Sequence, residues 1–524
     1  MYLGIFHIAL LLTRALCVFN ETTWMPQRQC EKLHPYLGNL ETAWEWQGAV
    51  RAELARSMEQ FPALKNDEEI MQHLILQLNN SFDDKRLLIL NNRIFVKGHF
   101  LEYVKNRMHA SMFVSLAERY ILKNEVMLHY QSSVGSAIKL KSRFLPTTVI
   151  AKKSYSVPGI LVPNSFFGNG KLFTKWREEC DEFEEAGIKY PWSHRDPRVF
   201  WRGEIMGELG HGDPNGTVYG VDTLCSRDVG NYERLAAAAL TVERPDLFDV
   251  RCNKCHPRHD IDVKCPNMPY DDVMRKAVAN SSLILDPNFV EQPDYARYQY
   301  LLNLPGKTAG SYSRNLNHLW FLGSPIALWD SPAVEFYYPP LKHGITHVSV
   351  NRSNVKEILN YVRSDERIQQ KLIRNAHRVG RELVCPQCLA NYLLDVLDAY
   401  RLRFNHGVIL DDPKRATDLI KHYLRCDKHN KFYEVSFVRA PHIKGNRELG
   451  ERKISCDELY AAAAGIQTSK KNQKKPMLHK PLSQTEKKVR KENRRNKAAL
   501  KLKQLLLAKE SAAASKTVVS STNN

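Results

Sequence analysis

Apolar and polar positions change period repeatedly along this chain. Residues 68–78 place Ile70, Met71, Leu74, Ile75 and Leu78 on one helical stripe. The short apolar runs 86–90 and 93–96 flank Asn91-Asn92, which predicts a hairpin. Residues 101–122 read as another amphipathic helix, and 126–130 and 147–151 as strands, so the first half alternates in the α/β manner. Further on, 198–201 reads as a strand, 231–240 as a helix, 247–250 as a strand and 271–279 as a helix. Residues 345–350 follow as a strand, 354–384 as one or two helices, and 389–404 as a last helix. The pattern in 407–460 is mixed and assigns nothing.

The clearest stretch is 298–335. An apolar and aromatic run at 298–304 stops at Pro305-Gly306, and a second run occupies 325–329. Between them Leu316, Leu319, Trp320 and Phe321 recur at helical spacing, with Gly323 where a helix end favours a left-handed residue. This predicts a βαβ unit whose loop, 306–314, joins a strand's carboxyl end to a helix's amino end. Backbone N–H groups, the helix dipole, hydroxyls and Lys307 and Arg314 would then converge on one spot suited to a phosphate. The alternative is a plain connection with its charges in solvent, because the glycine spacing fits neither the dinucleotide fingerprint nor the P-loop.

The motif order continues as Gly-Ser, strand, Asp-Ser-Pro and Glu-x-x-Tyr, carried by Tyr298, Tyr300, Ser313, Gly323, Ser324, Asp330, Ser331, Pro332, Glu335 and Tyr338. It resembles the capsule-associated-protein (CAP-ten-type) and Rumi-type protein O-glucosyltransferase family, whose members use nucleotide sugars. Phe200-Trp201-Arg202-Gly203 is similar to the family's Trp-Arg-Gly element, and 160–164 to its apolar-Pro-Asp segment, so the resemblance covers about residues 155–385. It implies an α/β fold of two Rossmann-like domains facing a cleft (GT-B-like). The acceptor domain would be 20–180 and the nucleotide-sugar domain 181–405, ending in the helical segment 389–404. An extension, 406–465, and a basic, partly disordered tail, 466–524, would follow.

The site residues the resemblance implies are Arg202, Gly310, Ser311, Ser313, Arg314, Asn315, Asp330 and Glu335. Arg202, at a strand end beside a glycine, suits paired hydrogen bonds to a diphosphate. Glu335 would accept ribose hydroxyls or, as the alternative, cap a helix start near Ser331. Two departures stand out. The family's helix-start arginine falls on Asn315, with the cation one place earlier at Arg314, a rotation of about 100° on a helix. The family's catalytic acid has no counterpart, since no Asp or Glu lies between Glu125 and Glu178 and Asn164 replaces a family Asp. Residues 126–133 offer Gln131 and Ser132, which take a proton poorly. The catalytic base is therefore unassigned.

Charge changes the picture in one place. The formal net charge is +19, of which residues 466–524 hold +13 and the rest +6. The charge belongs to an appendage rather than a folded basic face, which argues against nucleic acid as a partner. The tail reads as solvated, with anionic lipid or acidic glycan as functional alternatives. Residues 1–12 are apolar, Arg14 interrupts the run, and the stretch suits a signal peptide or signal anchor over 1–19, with a buried helix as the alternative.

The chain has 11 cysteines. Cys252, Cys255, His256, His259 and Cys265 have zinc-ligand spacing, as do Cys385 and Cys388 as a pair; in an oxidising compartment disulfides are favoured. A redox pair is disfavoured because neither Cys-x-x-Cys opens a helix directly after a strand. Sequons at Asn20, Asn79, Asn215, Asn280 and Asn351 suit the secretory pathway, in the endoplasmic reticulum or Golgi lumen. The expected activity is transfer of glucose or xylose from a UDP-sugar to a protein or glycan hydroxyl, without cofactor or metal. The alternative is a catalytically degenerate luminal nucleotide- or glycan-binding protein on the same fold.

Overall fold

The computed structural model describes residues 40–130, 135–141, 143–206, 223–256, 270–306, 314–330, 333–427, 431–439 and 447–466. The amino-terminal segment 1–19, Gln131, Ser132, His259, Cys265, Gly310, Ser311, Ser313, Ser331, Pro332 and nearly all of the basic tail lie outside these residues.

The strands are β1 (Arg86–Leu90), β2 (Arg93–Lys97), β3 (Glu125–Tyr130), β4 (Ile138–Leu140), β5 (Arg143–Leu145), β6 (Thr147–Val149) and β7 (Ile160–Leu161). They continue with β8 (Asp196–Met206), β9 (Phe248–His256), β10 (Tyr298–Asn303), β11 (Ile326–Trp329), β12 (Val348–Val350), β13 (Phe432–Arg439) and β14 (Arg447–Ile454). The fold is mixed α/β. One sheet runs β14-β13-β2-β1-β3-β6-β7, antiparallel as far as β3 and parallel from β3 to β7. A second, wholly parallel sheet runs β12-β11-β10-β8-β9, and β4 and β5 form a separate hairpin.

The β1–β2 hairpin turns through Asn91 (φ 49°) and Asn92 (φ 57°), the positive-φ pair that Asn tolerates best after glycine. The unassigned stretch 407–460 supplies β13 and β14, so the segment set apart as an extension widens the first sheet. The boundary drawn at 180/181 falls within the helix Arg177–Lys189. Helical spacing over 316–321 yields only the single turn Leu316–Leu319, ended by Gly323 at φ 69°.

The largest core draws Ile89, Phe113 and Val149 from the first sheet's half together with Phe200, Leu301 and Leu328 from the parallel sheet. A second core covers the other face of the parallel sheet, with Val199, Trp201 and Leu302 against Leu235 and Leu240 of the helix Thr223–Glu243. The helix Pro386–Phe404 returns across the first half, where Tyr392 Oη donates to Leu161 O at 2.9 Å. Among the described residues Cys252 is paired with Cys255, Cys385 with Cys388 and Cys426 with Cys456, and Cys180 is free and buried. Cys385 caps its helix, accepting from Cys388 N at 3.0 Å; that helix follows Glu366–Glu382 rather than a strand. No helix among the described residues is long and apolar enough to cross a membrane.

Candidate functional site

In the parallel sheet, β8 and β10 are neighbours whose connections leave in opposite directions. The helix after β8, Thr223–Glu243, covers the Trp201 face, and the turn after β10, Leu316–Leu319, covers the Phe200 face. The carboxyl ends of two such strands splay apart, and this topological switch point is where open parallel sheets receive ligands.

Arg202 is level with the end of β10, but it does not end its own strand as expected: β8 runs on beside β9 to Met206, and the Arg202 side chain faces inward. Nη1 donates to Asp249 O (2.7 Å) and Trp201 O (3.0 Å), and Nη2 to Asp249 Oδ1 (2.9 Å) and Asp286 Oδ2 (2.8 Å). Nε reaches Asp286 Oδ2 at 3.2 Å, so every nitrogen is engaged with protein. Burial would raise the Asp286 carboxyl, but bonds from Asn288 N and from Arg202 outweigh it and hold it below the ordinary value. Tyr298 Oη donates to Asp249 Oδ2 at 3.1 Å, and burial beside that carboxylate pushes the phenol up to about 12. The expected diphosphate clamp is, in this structure, the centre of an internal ion-pair network.

Asn315 stands next to it, its Nδ2 donating to Arg202 O at 3.2 Å. Arg314 points the other way, to Glu335 Oε1 at 3.2 Å, with its guanidinium over the Phe166 ring. Lys105 belongs to the same neighbourhood: burial, and then the Arg314 charge, lower its ammonium pKa. Glu335 is 2% exposed and accepts from Asn164 Nδ2 at 3.0 Å on its second oxygen. Asn164 and Asn317 pair amide to amide, at 3.2 and 3.1 Å. Asn164 follows β7 in the first sheet, so these bonds latch the two sheets together. Asn at 164 has a local reason: an Asp there would set a carboxylate 3.0 Å from Glu335. Asp330 lies apart, exposed at the end of β11, and accepts from Asn351 Nδ2 at 3.0 Å.

The structure thus sets Asn315 against Arg202, pairs Arg314 with Glu335, and leaves Asp330 apart at the end of β11. The one-turn helix after the loop is too short to contribute the macrodipole expected of it. Asp249, Asp286 and Asn317 were not anticipated. Asp249 had a readable signal, an acid inside the apolar run 247–250 at the start of β9, which when buried demands a cationic partner.

No family model matches the chain. It is 34% identical over 83 residues to protein O-glucosyltransferase 1 of Mus musculus, covering 16% of this chain and 20% of that one. To the Homo sapiens protein of that name it is 26% identical over 117 residues, 22% of this chain and 29% of the relative. To the Bos taurus protein it is 32% identical over 81 residues, 15% and 20%. The matched part spans less than a third of the length of these curated relatives. The similarity falls on the O-glucosyltransferase side of the resemblance drawn from the motifs, and the capsule-associated-protein label gains nothing from it.

Proposed function

We propose that the chain is a glycosyltransferase that moves a hexose or pentose, glucose or xylose first among them, from a UDP-sugar to a protein or glycan hydroxyl. The observation that carries the reading is the partial similarity to protein O-glucosyltransferase 1. The parallel sheet with its switch point between β8 and β10 supports it. In the reaction the acceptor oxygen bonds to the sugar's anomeric carbon, the bond from that carbon to the diphosphate breaks, UDP leaves with the electron pair, and the hydroxyl's proton passes to the departing UDP or to solvent. Arg314, Asn315 and the loop residues Gly310, Ser311 and Ser313 would take the developing phosphate charge, so the reading needs no metal or resident cofactor. Asp330 and Glu335 would meet the nucleoside. Localisation in the secretory lumen, with membrane association through the amino-terminal segment, belongs to the same proposal, and nucleic acid is not among its partners.

A second reading, a binding protein on the same fold that has lost its chemistry, is favoured by one observation. Arg202 and Glu335 are both committed to internal partners, and no Asp or Glu occurs from 126 to 177 to take the acceptor's proton. The deciding experiment measures UDP release by the purified full-length protein over a panel of UDP-sugars, with water and with peptide or glycan acceptors. Acceptor-dependent release from one sugar is the expected result. Binding of UDP without turnover on any donor selects the binding-protein reading.

A further inference from the structure

At the switch point lies a buried polar group with no hydrogen-bond partner among the described residues. Asn303, the last residue of β10, is fully buried, and neither its Oδ1 nor its Nδ2 has a hydrogen-bond partner among the described residues. A buried amide left unpaired is destabilising and rare in native proteins.

Its position follows from register. Leu301 pairs with Phe200, so Asn303, two residues on, is level with Arg202 on β8; across the other edge it pairs with Leu328 on β11. By strand alternation its side chain leaves the sheet on the Leu301 and Phe200 face, the face of the 314–319 turn. On that face Arg202, Asn315, Asn317, Asn164, Arg314 and Glu335 all have protein partners. Next along the chain comes the loop expected to meet a nucleotide. A strand's terminal residue at a switch point is where a ligand contacts a parallel sheet.

We propose that Asn303 reads the ligand, its carboxamide pairing with hydroxyl groups of a nucleotide sugar. The chemistry selects hydroxyls over phosphate. A carboxamide offers one donor side and one acceptor side with no charge, and hydroxyls match both because each donates and accepts. A phosphate only accepts, and would leave Oδ1 unpaired. The inference rests on the UDP-sugar reading above.

The test is calorimetric titration of the full-length protein with UDP-glucose and with UDP, beside thermal melts, for the wild type and Asn303→Leu. Leucine keeps the volume and removes both polar atoms. A variant with equal or higher Tm that binds UDP-glucose at least about tenfold more weakly is expected, the loss of one or two neutral hydrogen bonds. Equal weakening toward UDP would place the contact on the ribose; weakening toward UDP-glucose alone would place it on the sugar. Unchanged UDP-glucose affinity in a stable variant would overturn the proposal, leaving Asn303 a packing defect. Asn303→Ala serves the same comparison if the leucine variant does not fold. A wild type that binds neither compound removes the UDP-sugar reading itself, and the role of Asn303 with it.

Discussion

Arg202 shows how far one residue's role depends on neighbours remote in sequence. Its buried guanidinium bridges the buried Asp249 and the half-buried Asp286, so removing it takes from Asp249 its two-nitrogen partner and leaves it only Arg251 at 3.2 Å and the Tyr298 hydroxyl. Arg202→Ala should cost about 2–3 kcal/mol, read as a lowered urea midpoint. Arg202→Lys should recover little, since an ammonium cannot reproduce the fork that spans both acids. A variant as stable as the wild type would show that the network carries no stability. Asn164→Asp tests the latch in the opposite way, by adding a charge. It loses the donor to Glu335 and sets two carboxylates side by side, which raises the proton affinity of the pair in the folded state. The folded protein then binds more protons than the unfolded one, so the variant's stability falls as pH rises. The deficit should be about 2–4 kcal/mol at pH 8 and shrink toward pH 5, measured by denaturation at both. A deficit that does not change with pH would mean that the introduced carboxylate finds another partner.

At the scale of elements, the hairpin turn separates backbone preference from side-chain contact. Asn91 and Asn92 both sit at positive φ, where glycine is at least as comfortable. Asn92 also accepts from Leu122 N at 2.8 Å and donates to Ala117 O at 3.0 Å, tying the turn to the end of the helix Val104–Ala117. Asn91→Gly should change stability by less than about 0.5 kcal/mol, and Asn92→Gly should cost about 1–2 kcal/mol despite its better turn chemistry. Equal effects in urea denaturation would assign the position to backbone alone. This hairpin, β10, β11 and the left-handed Gly323 were legible because local signals decide them: paired asparagines, apolar runs ended by Pro-Gly, a glycine at a helix end. The edge strand β14 was not. Its sequence, RELGERKI, has no apolar alternation, and it exists because β13 pairs with β2, which lies far back in the sequence. The site divides similarly. That Arg314 and Asn315 follow a strand was readable locally, whereas Arg202's place inside a longer β8 and its saturation depend on β9, Asp249 and Asp286, which tertiary packing alone brings within reach.

For the whole molecule, the question is whether two sheets make two folding units. The resemblance implies two domains about a cleft, and domains joined by a polar interface would unfold separately. Here the main core is continuous through both sheets, from Ile89 and Val149 to Phe200 and Leu328. Polar contacts cross in the same direction: the Asn164, Asn317 and Glu335 latch, the main-chain bridge from Lys152 to Val334, and Trp176 Nε1 donating to Val384 O at 2.8 Å. The carboxy-terminal helices add a return path, since Pro386–Phe404 reaches Leu161 and Pro146, and Gln77 Nε2 donates to Tyr400 Oη at 2.7 Å. Separating the sheets would expose core apolar surface on both sides at once, a cost of about 25 cal/mol per Å² that neither half recovers alone. Unfolding should therefore be a single transition, with coincident midpoints for far-UV circular dichroism and tryptophan fluorescence. Trp176 and Trp320 belong to the shared core, Trp201 and Trp329 to the parallel sheet's other face, so fluorescence samples both regions. Two resolved midpoints would show instead that the halves hold together independently, and the crevice between them would then be free to open without unfolding either one.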